Sequence, residues 1–313
     1  MGKVLVFGDM MVDSYRVVQP VKVSQEAPVL VNHHVKQHDI PGGAANAARQ
    51  MQAILGVTPD LLGIVGGRLY TPVRSNKQRL ICDHAGMRLI SLLSKAKIEK
   101  ALFPQDDWAT IEKCRVIDTS GQQLMRIDTE PSVTPNEKTR KSILDWLALN
   151  SKNYDTLFIS DYGKGTCFEE SIKCGIEWFR DKFVIVNGKP ENAAYYRGAH
   201  VVVMNQKEAE QSIGSSKVDL EELAYCLYMK VGAPTVVTAG AKGMAWYHPE
   251  NGKCITVPAC PPSAPIVDIT GAGDILCAAI AAWGSCEYMT GEQVLTRAAE
   301  TVSQAICDRR VKI

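Results

Sequence analysis

Five short apolar runs, each closed by a polar or glycine-rich turn, set the rhythm of this chain. Lys3 to Phe7 ends at Gly8-Asp9, Thr156 to Ser160 at Asp161-Tyr162-Gly163-Lys164-Gly165, Phe183 to Val186 at Asn187-Gly188-Lys189, Val201 to Met204 at Asn205, and Thr235 to Thr238 at Ala239-Gly240. Runs of this length without polar alternation are the pattern of strands buried on both faces. After residue 140 they alternate regularly with helical segments, which predicts an α/β fold with a parallel sheet. Such strands end at one edge, and open α/β sheets bind ligands at the carboxyl ends of their strands. Asp9 and Asp13 are placed there for polar contact with a ligand, although each also suits a turn or a helix cap.

Other segments differ in texture. From Arg16 to Ile40, valine-rich, partly alternating stretches broken by Pro20 and Pro28 predict two or three exposed strands outside the main sheet. Pro41-Gly42-Gly43-Ala44-Ala45-Asn46-Ala47-Ala48 predicts a turn and then a small-residue helix. It is either a tight packing surface or a place where a ligand approaches backbone, with Asn46 beside it. Leu61 to Val65 reads as a strand and Asp83 to Ala101 as a helix. Cys114 to Ile117 and Gln123 to Ile127 read as a hairpin turning at Asp118-Thr119-Ser120-Gly121, and with the Arg16–Ile40 strands they suit one small accessory sheet.

The candidate chemistry concentrates at Asp268-Ile269-Thr270-Gly271-Ala272-Gly273-Asp274, which runs into the apolar stretch Ile275 to Ala282. Glycines flanking an alanine allow several N–H groups to converge, and a helix starting there has an N-terminus suited to an anion. A carboxylate in that first turn repels a phosphate unless it has another task, such as taking a proton from an attacking hydroxyl. A glycine turn with an acidic cap explains the same residues, and by itself the stretch supports both readings equally.

Composition narrows the class. The chain has 313 residues, 46% hydrophobic and 22% charged, with net charge +1, as an ordinary globular protein does. Nothing favours nucleic acid: the densest basic segment, Arg68 to Arg79, is short, carries only Tyr70 as an aromatic, and reads as a solvated loop first and a phosphate-facing loop second. Ten cysteines without a Cys-x-x-Cys pair suggest reduced thiols in a cytoplasmic protein. His33, His34 and His38 would clip a metal only if close together, and read as surface residues. The apolar run at the N-terminus is too short for a signal peptide, and no run approaches the ~20 residues of a membrane span.

The turns jointly resemble the ribokinase-like (PfkB-type) sugar kinases. Asp268 to Asp274 is similar to that family's C-terminal signature, Gly42-Gly43-Ala44-Ala45-Asn46 to its N-terminal one, and Thr238-Ala239-Gly240-Ala241-Lys242-Gly243 to its nucleotide loop. Within the family, the closer likeness is to D-glycero-D-manno-heptose-7-phosphate kinases, the kinase half of ADP-heptose synthases. It rests on Gly8-Asp9-Met10-Met11-Val12-Asp13-Ser14-Tyr15, Val23 to Val29, Gln122 to Asp128, Ser160 to Gly165 and Tyr196-Arg197-Gly198-Ala199. The resemblance implies one kinase domain over 1–313, a three-layer α/β sandwich with a mostly parallel sheet, and a small β lid from strands at about 14–40 and 112–130. It implies ATP and Mg²⁺, leaves a monovalent-cation requirement open, and suggests a homodimer through the lid.

The resemblance also implies residue roles. Asp274 would take the proton from the anomeric hydroxyl of a heptose 7-phosphate, while the N–H groups of Gly271, Ala272 and Gly273 hold the charge on the transferred phosphoryl group. Asn205 and Glu208 would organise Mg²⁺ through water. Lys164 and Lys189 would meet phosphate, and Thr238, Gly240 and Gly243 would line the nucleotide. Asp9, Asp13, Gly42, Gly43, Asn46, Arg126 and Asp161 would face the sugar. The chain departs from the relatives at Gly67, where they usually carry Asp, and at Asn187-Gly188-Lys189-Pro190, where they carry Asp-Pro-Lys-Gly; Arg68 to Lys113 matches poorly. Rival readings are a kinase for another sugar, sugar phosphate or nucleoside, a ligand-binding relative without turnover, and a dinucleotide-binding oxidoreductase. The last would want Gly-x-Gly-x-x-Gly after the first strand, which Gly8-Asp9-Met10 does not supply.

Overall fold

The first strand, β1 (Val4–Gly8), sends Val4 and Val6 into one core and Leu5 and Phe7 into another, so it is buried on both faces. The computed structural model describes residues 2–56, 58–71, 78–250, 252–266, 271–284 and 289–307. In chain order β2 (Met10–Val23), β3 (Leu30–Gly43), α1 (Ala44–Leu55), β4 (Asp60–Tyr70), β5 (Arg79–Cys82), α2 (His84–Lys95), β6 (Lys100–Gln105), β7 (Ile111–Asp118) and β8 (Gln123–Thr129) make the first part. Then come α3 (Glu137–Asn150), β9 (Thr156–Ser160), α4 (Glu169–Trp178), β10 (Phe183–Asn187), β11 (Val201–Asn205), α5 (Gln206–Ile213) and α6 (Leu220–Val231). The chain continues through β12 (Thr235–Thr238), β13 (Met244–Tyr247), β14 (Cys254–Val257), α7 (Ala272–Gly284) and α8 (Gly291–Cys307).

The large sheet runs β14-β13-β12-β11-β10-β9-β1-β4-β5, with β6 also on β4. Its middle is parallel from β12 through β4, which brings the turns after β1, β9, β10, β11 and β12 to one edge. Apolar residues of α1, α2, α7 and α8 cover the face of Val4 and Val6, and those of α3 to α6 cover the other. α7 is apolar all round because it is enclosed, with every residue from Asp274 to Ala282 buried. The four remaining strands form a separate sheet, β3-β2-β7-β8, from the segments expected to make the lid. Pro20 is tolerated in β2 because that strand pairs with β7 only as far as Val18, and its register with β3 shifts beside the proline.

Three local expectations are corrected. The helix begun by Asp83, whose Oδ1 accepts from Gly86 N at 2.7 Å, stops at Lys95 rather than Ala101; Lys97 is left-handed (φ 56°), and Lys100–Gln105 pairs in parallel with β4. Gly42 and Gly43 close β3 instead of forming a separate turn. Arg68 and Arg79 lie in paired antiparallel strands, β4 and β5, not in a loop. That pairing accounts for Gly67, since a Cβ there would sit 2.2 Å from the Ile81 carbonyl oxygen. Strands β13 and β14, which turn the sheet antiparallel at its edge, went unread in the sequence.

The nine described cysteines are free thiols, and no group of three or more His, Cys, Asp or Glu side chains among the described residues could hold a metal ion. His38 instead stacks on Tyr15 at 4.8 Å. No helix among the described residues is long and apolar enough to cross a membrane.

Candidate active site

The small sheet presents charge to the ligand edge through its register. Asp13 of β2 lies opposite Lys113 of β7, which lies opposite Asp128 of β8; in the next row Tyr15, Arg115 and Arg126 align in the same way. Residues directly opposite share a face. Asp13 accepts from Arg115 Nη1 at 2.5 Å. Gly42 makes room for that carboxylate, because a Cβ there would stand 2.3 Å from Asp13 Oδ2. Burial lowers the Lys113 ammonium from its ordinary pKa, against the opposing pull of Asp13. Arg126 is half exposed and grips Asp128 through two 2.9 Å contacts, further out on the sheet.

Asp274, in the first turn of α7, is 2% exposed. Three side chains from three other segments donate to it: Asn46 Nδ2 to Oδ2 at 2.8 Å, Tyr162 Oη to Oδ1 at 2.5 Å, and, at the limit of hydrogen bonding, Asn187 Nδ2 to Oδ1 at 3.5 Å. Burial pushes its pKa up to about 6, while the bonds from Tyr162 and Asn46 pull it down and the nearby Asp13 charge pushes it further up. The Asn46 amide has its orientation set from behind, since its Oδ1 accepts from Arg49 Nη2 at 3.3 Å and Gln50 Nε2 at 3.2 Å. Gly271 (φ 77°) lets the chain enter α7 beside that amide, as a Cβ would lie 2.6 Å from Asn46 Nδ2. First-turn amides of a helix have no intrahelical acceptor, and in front of Gly273 a Cβ would meet nothing within 4 Å. Asp268 and Thr270 lie outside the described residues.

Asp9 and Asp161 are occupied by the turn after β9. Asp9 accepts from the backbone N–H of Tyr162 (2.9 Å), Lys164 (3.1 Å) and Thr166 (2.9 Å). Asp161 accepts from Gly163 N, Asn192 Nδ2 and Tyr196 Oη, each at 2.7 Å, and burial with the Asp9 charge raises its pKa to about 6. The Asp9 carbonyl also receives Ala44 N at 3.0 Å, which starts α1; Gly43 (φ 57°) is required there, a Cβ being 2.3 Å from that carbonyl.

Lys164 Nζ pairs with Glu130 at 2.7 Å. Lys189 Nζ pairs with Glu208 and also lies 5.5 Å from the Tyr162 ring centre, while Lys113 Nζ is 5.7 Å from it. Asn205 and Glu208 form a capping box at α5, each side chain accepting from the other's backbone N–H at 3.0 Å. Thr238 is the register partner of Asn205 on the next strand, and the turn behind it is closed by Ala239 N to Gly243 O (2.8 Å) and Gly243 N to Gly240 O (3.0 Å). The structure therefore gathers Asn46, Gly271, Asp13 and the turn held by Asp9 around Asp274, with Lys189 beside the Tyr162 ring. It sets Thr238, Gly240 and Gly243 further along the same edge and leaves Arg126 near the rim. Tyr162, Lys113 and Asn187 are contacts that motif reading missed. Tyr162 and Asn187 stood in strand-end turns, whereas Lys113 becomes visible only once β7 is registered on β2.

The pfkB family carbohydrate kinase model matches residues 80–311. The proteins named "Bifunctional protein HldE" from Haemophilus influenzae (strain PittEE) and Gluconobacter oxydans (strain 621H) are 31% and 32% identical over 283 and 289 residues, in each case 90% of this chain. Those matches cover 55% and 56% of the relatives, so the chain spans about half their length. The tetrameric inhibited form of phosphofructokinase-2 from Escherichia coli superimposes with a TM-score of 0.77 at 20% identity, over 99% of this chain and 97% of that one, and shares the three-layer α/β fold. With the family model covering most of the sequence and the fold agreeing, this chain belongs to the pfkB family of carbohydrate kinases.

Proposed function

We propose that the chain transfers the γ-phosphoryl group of ATP to the O1 hydroxyl of a heptose 7-phosphate. The observation that carries this reading is the enclosed Asp274 carboxylate at the start of α7, raised to a pKa of about 6 and so still a base at neutral pH. In the step, the acceptor hydroxyl gives its proton to Asp274, its oxygen forms a bond to the γ-phosphorus, and the bond from that phosphorus to the β-phosphate oxygen breaks, releasing ADP. In this reading the amides of Gly271, Ala272 and Gly273, at the start of α7, hold the charge that builds on the phosphoryl group, which is where fixed dipoles lower a barrier most. The turn from Thr238 to Gly243 is the place for the nucleotide. Lys113 and Arg115, facing inward from the lid, favour an acceptor that already carries phosphate, and the HldE relatives support a heptose.

A magnesium ion suits the donor chemistry of Asn205 and Glu208, both hard oxygen ligands, but only through water: their side-chain oxygens are already taken by the capping box and by Lys189. Bound there with nucleotide, it would neutralise phosphate charge. A homodimer through the lid is supported by the apolar residues on the small sheet's other face, with Met125 55% and Ile127 51% exposed. An ATP-consumption screen over sugars and sugar phosphates, run beside Asp274→Asn, tests the function. Turnover confined to heptose 7-phosphate and abolished in D274N is expected; equal rates on hexoses would sink the heptose, and full turnover by D274N would sink the base.

A further inference from the structure

The base just described is shut. Asp274 is 2% exposed, and the Tyr162 phenol donates to its Oδ1 at 2.5 Å. The backbone of Tyr162 is pinned, its N–H held by Asp9 Oδ2 at 2.9 Å, so only its side chain can clear the way. Two ammonium groups lie over its ring, Lys113 from the lid at 5.7 Å and Lys189 from the turn after β10 at 5.5 Å from its centre. Both are cations that a phosphate would attract away from an aromatic face. The phenol is neutral: enclosure of its hydroxyl and the adjoining carboxylate raise its pKa well above the ordinary value.

We propose that Tyr162 is a positioning residue that holds the place of the acceptor hydroxyl on Asp274, and that the acceptor displaces it, its hydroxyl taking Oδ1 and its phosphate taking an ammonium from the ring. This rests on Asp274 being the base. The displacement makes entry conditional on two groups at once, which selects a phosphorylated polyol over a neutral one. Asn46 stays on Oδ2 throughout, so the carboxylate keeps its orientation while Oδ1 changes partner.

The test is Tyr162→Phe, which keeps the ring and removes the hydroxyl, assayed at saturating ATP on whichever acceptor the screen returns. The charged or titratable groups facing Asp274 are Asp13 from β2, Lys113 from β7, Tyr162 from the turn after β9 and the Cys277 thiol from its own helix. Y162F changes one of these. The acceptor KM should fall roughly 2- to 10-fold, the net worth of one hydrogen bond, with kcat kept within about threefold. The acid limb of kcat/KM, which reports free enzyme, should move to higher pH because a bond that lowered the Asp274 pKa is gone. The acid limb of kcat, which reports the complex, should stay. A hundredfold loss of kcat would mean that Tyr162 relays the proton and is not displaced. Both limbs moving together, or an unchanged KM, would mean that it never leaves. Tyr162→Leu, checked by its melting curve, repeats the KM measurement without the ring. Turnover by D274N, measured alongside, would overturn the base and with it the displacement, whereas an inactive D274N beside an unchanged KM in Y162F would overturn the displacement alone.

Discussion

Removing the charge of Asp274 should raise stability at neutral pH relative to acid pH. The carboxyl pKa is raised from 3.8 to about 6 in the folded protein. Below pH 3.8 both folded and unfolded states carry the proton, and there is no penalty. As pH rises, the unfolded chain ionises first, so folding loses free energy until the folded group also ionises near pH 6; above that the penalty is constant at about 3 kcal/mol. Asp274→Asn cannot ionise and escapes it. The variant's amide oxygen can still accept from Asn46 Nδ2 while its NH2 donates to the Tyr162 hydroxyl, and whatever this exchange costs is independent of pH. The quantity to measure is therefore the difference in melting temperature between D274N and wild type from pH 4.5 to 8. It should climb by about 3 °C across that range, because about 1 kcal/mol of the penalty is already present at pH 4.5 and unfolding 313 residues carries an entropy on the order of 0.7 kcal/mol/K. A difference flat within a degree would refute a buried, high-pKa carboxylate at 274.

Asn187→Asp should place a second carboxylate about 3.5 Å from Asp274 Oδ1 and move the acid limb of kcat/KM up by roughly one pH unit or more; an unmoved limb would show that Asn187 does not feel the base. Lys113→Met should raise the KM of a phosphorylated acceptor ~10-fold or more and leave that of its dephosphorylated counterpart unchanged, because only the former has an anion for the ammonium to meet. Ile127→Lys, on the opposite face of the lid, should shift sedimentation from dimer to monomer at micromolar concentration while kcat persists. A variant that sediments as wild type would place the dimer elsewhere.

Much of the frame was legible because buried parallel strands leave an unmistakable trace. Thr156–Ser160 and Thr235–Thr238 were bounded correctly, since an apolar run ending in a polar turn has few other readings. The β4–β5 arm and β6 were not, because short strands with half-exposed side chains, such as Arg79–Cys82, carry neither alternation nor continuous apolarity. In the site, Asp274 and Asn46 announced themselves through glycine-rich surroundings that exist to let backbone and carboxylate approach closely. Lys113 had no such surroundings. Its role comes from pairing with Asp13, 100 positions away in sequence, and register between distant strands is not written in local composition.

The same geometry divides the acidic residues by what their oxygens have left to give. Asp9 and Asp161 spend theirs on backbone and side-chain donors of the 161–166 turn and on Asn192 and Tyr196. In the proposed reaction they contribute through the turn that carries Tyr162 to Asp274. Asp13, by contrast, has one strong partner, Arg115, and sits in a row of alternating sign with Lys113 and Asp128. In the proposed reaction, recognition of the acceptor accordingly falls to the row on the small sheet, and orientation of Asp274 to the turns of the main sheet that carry Tyr162 and Asn187.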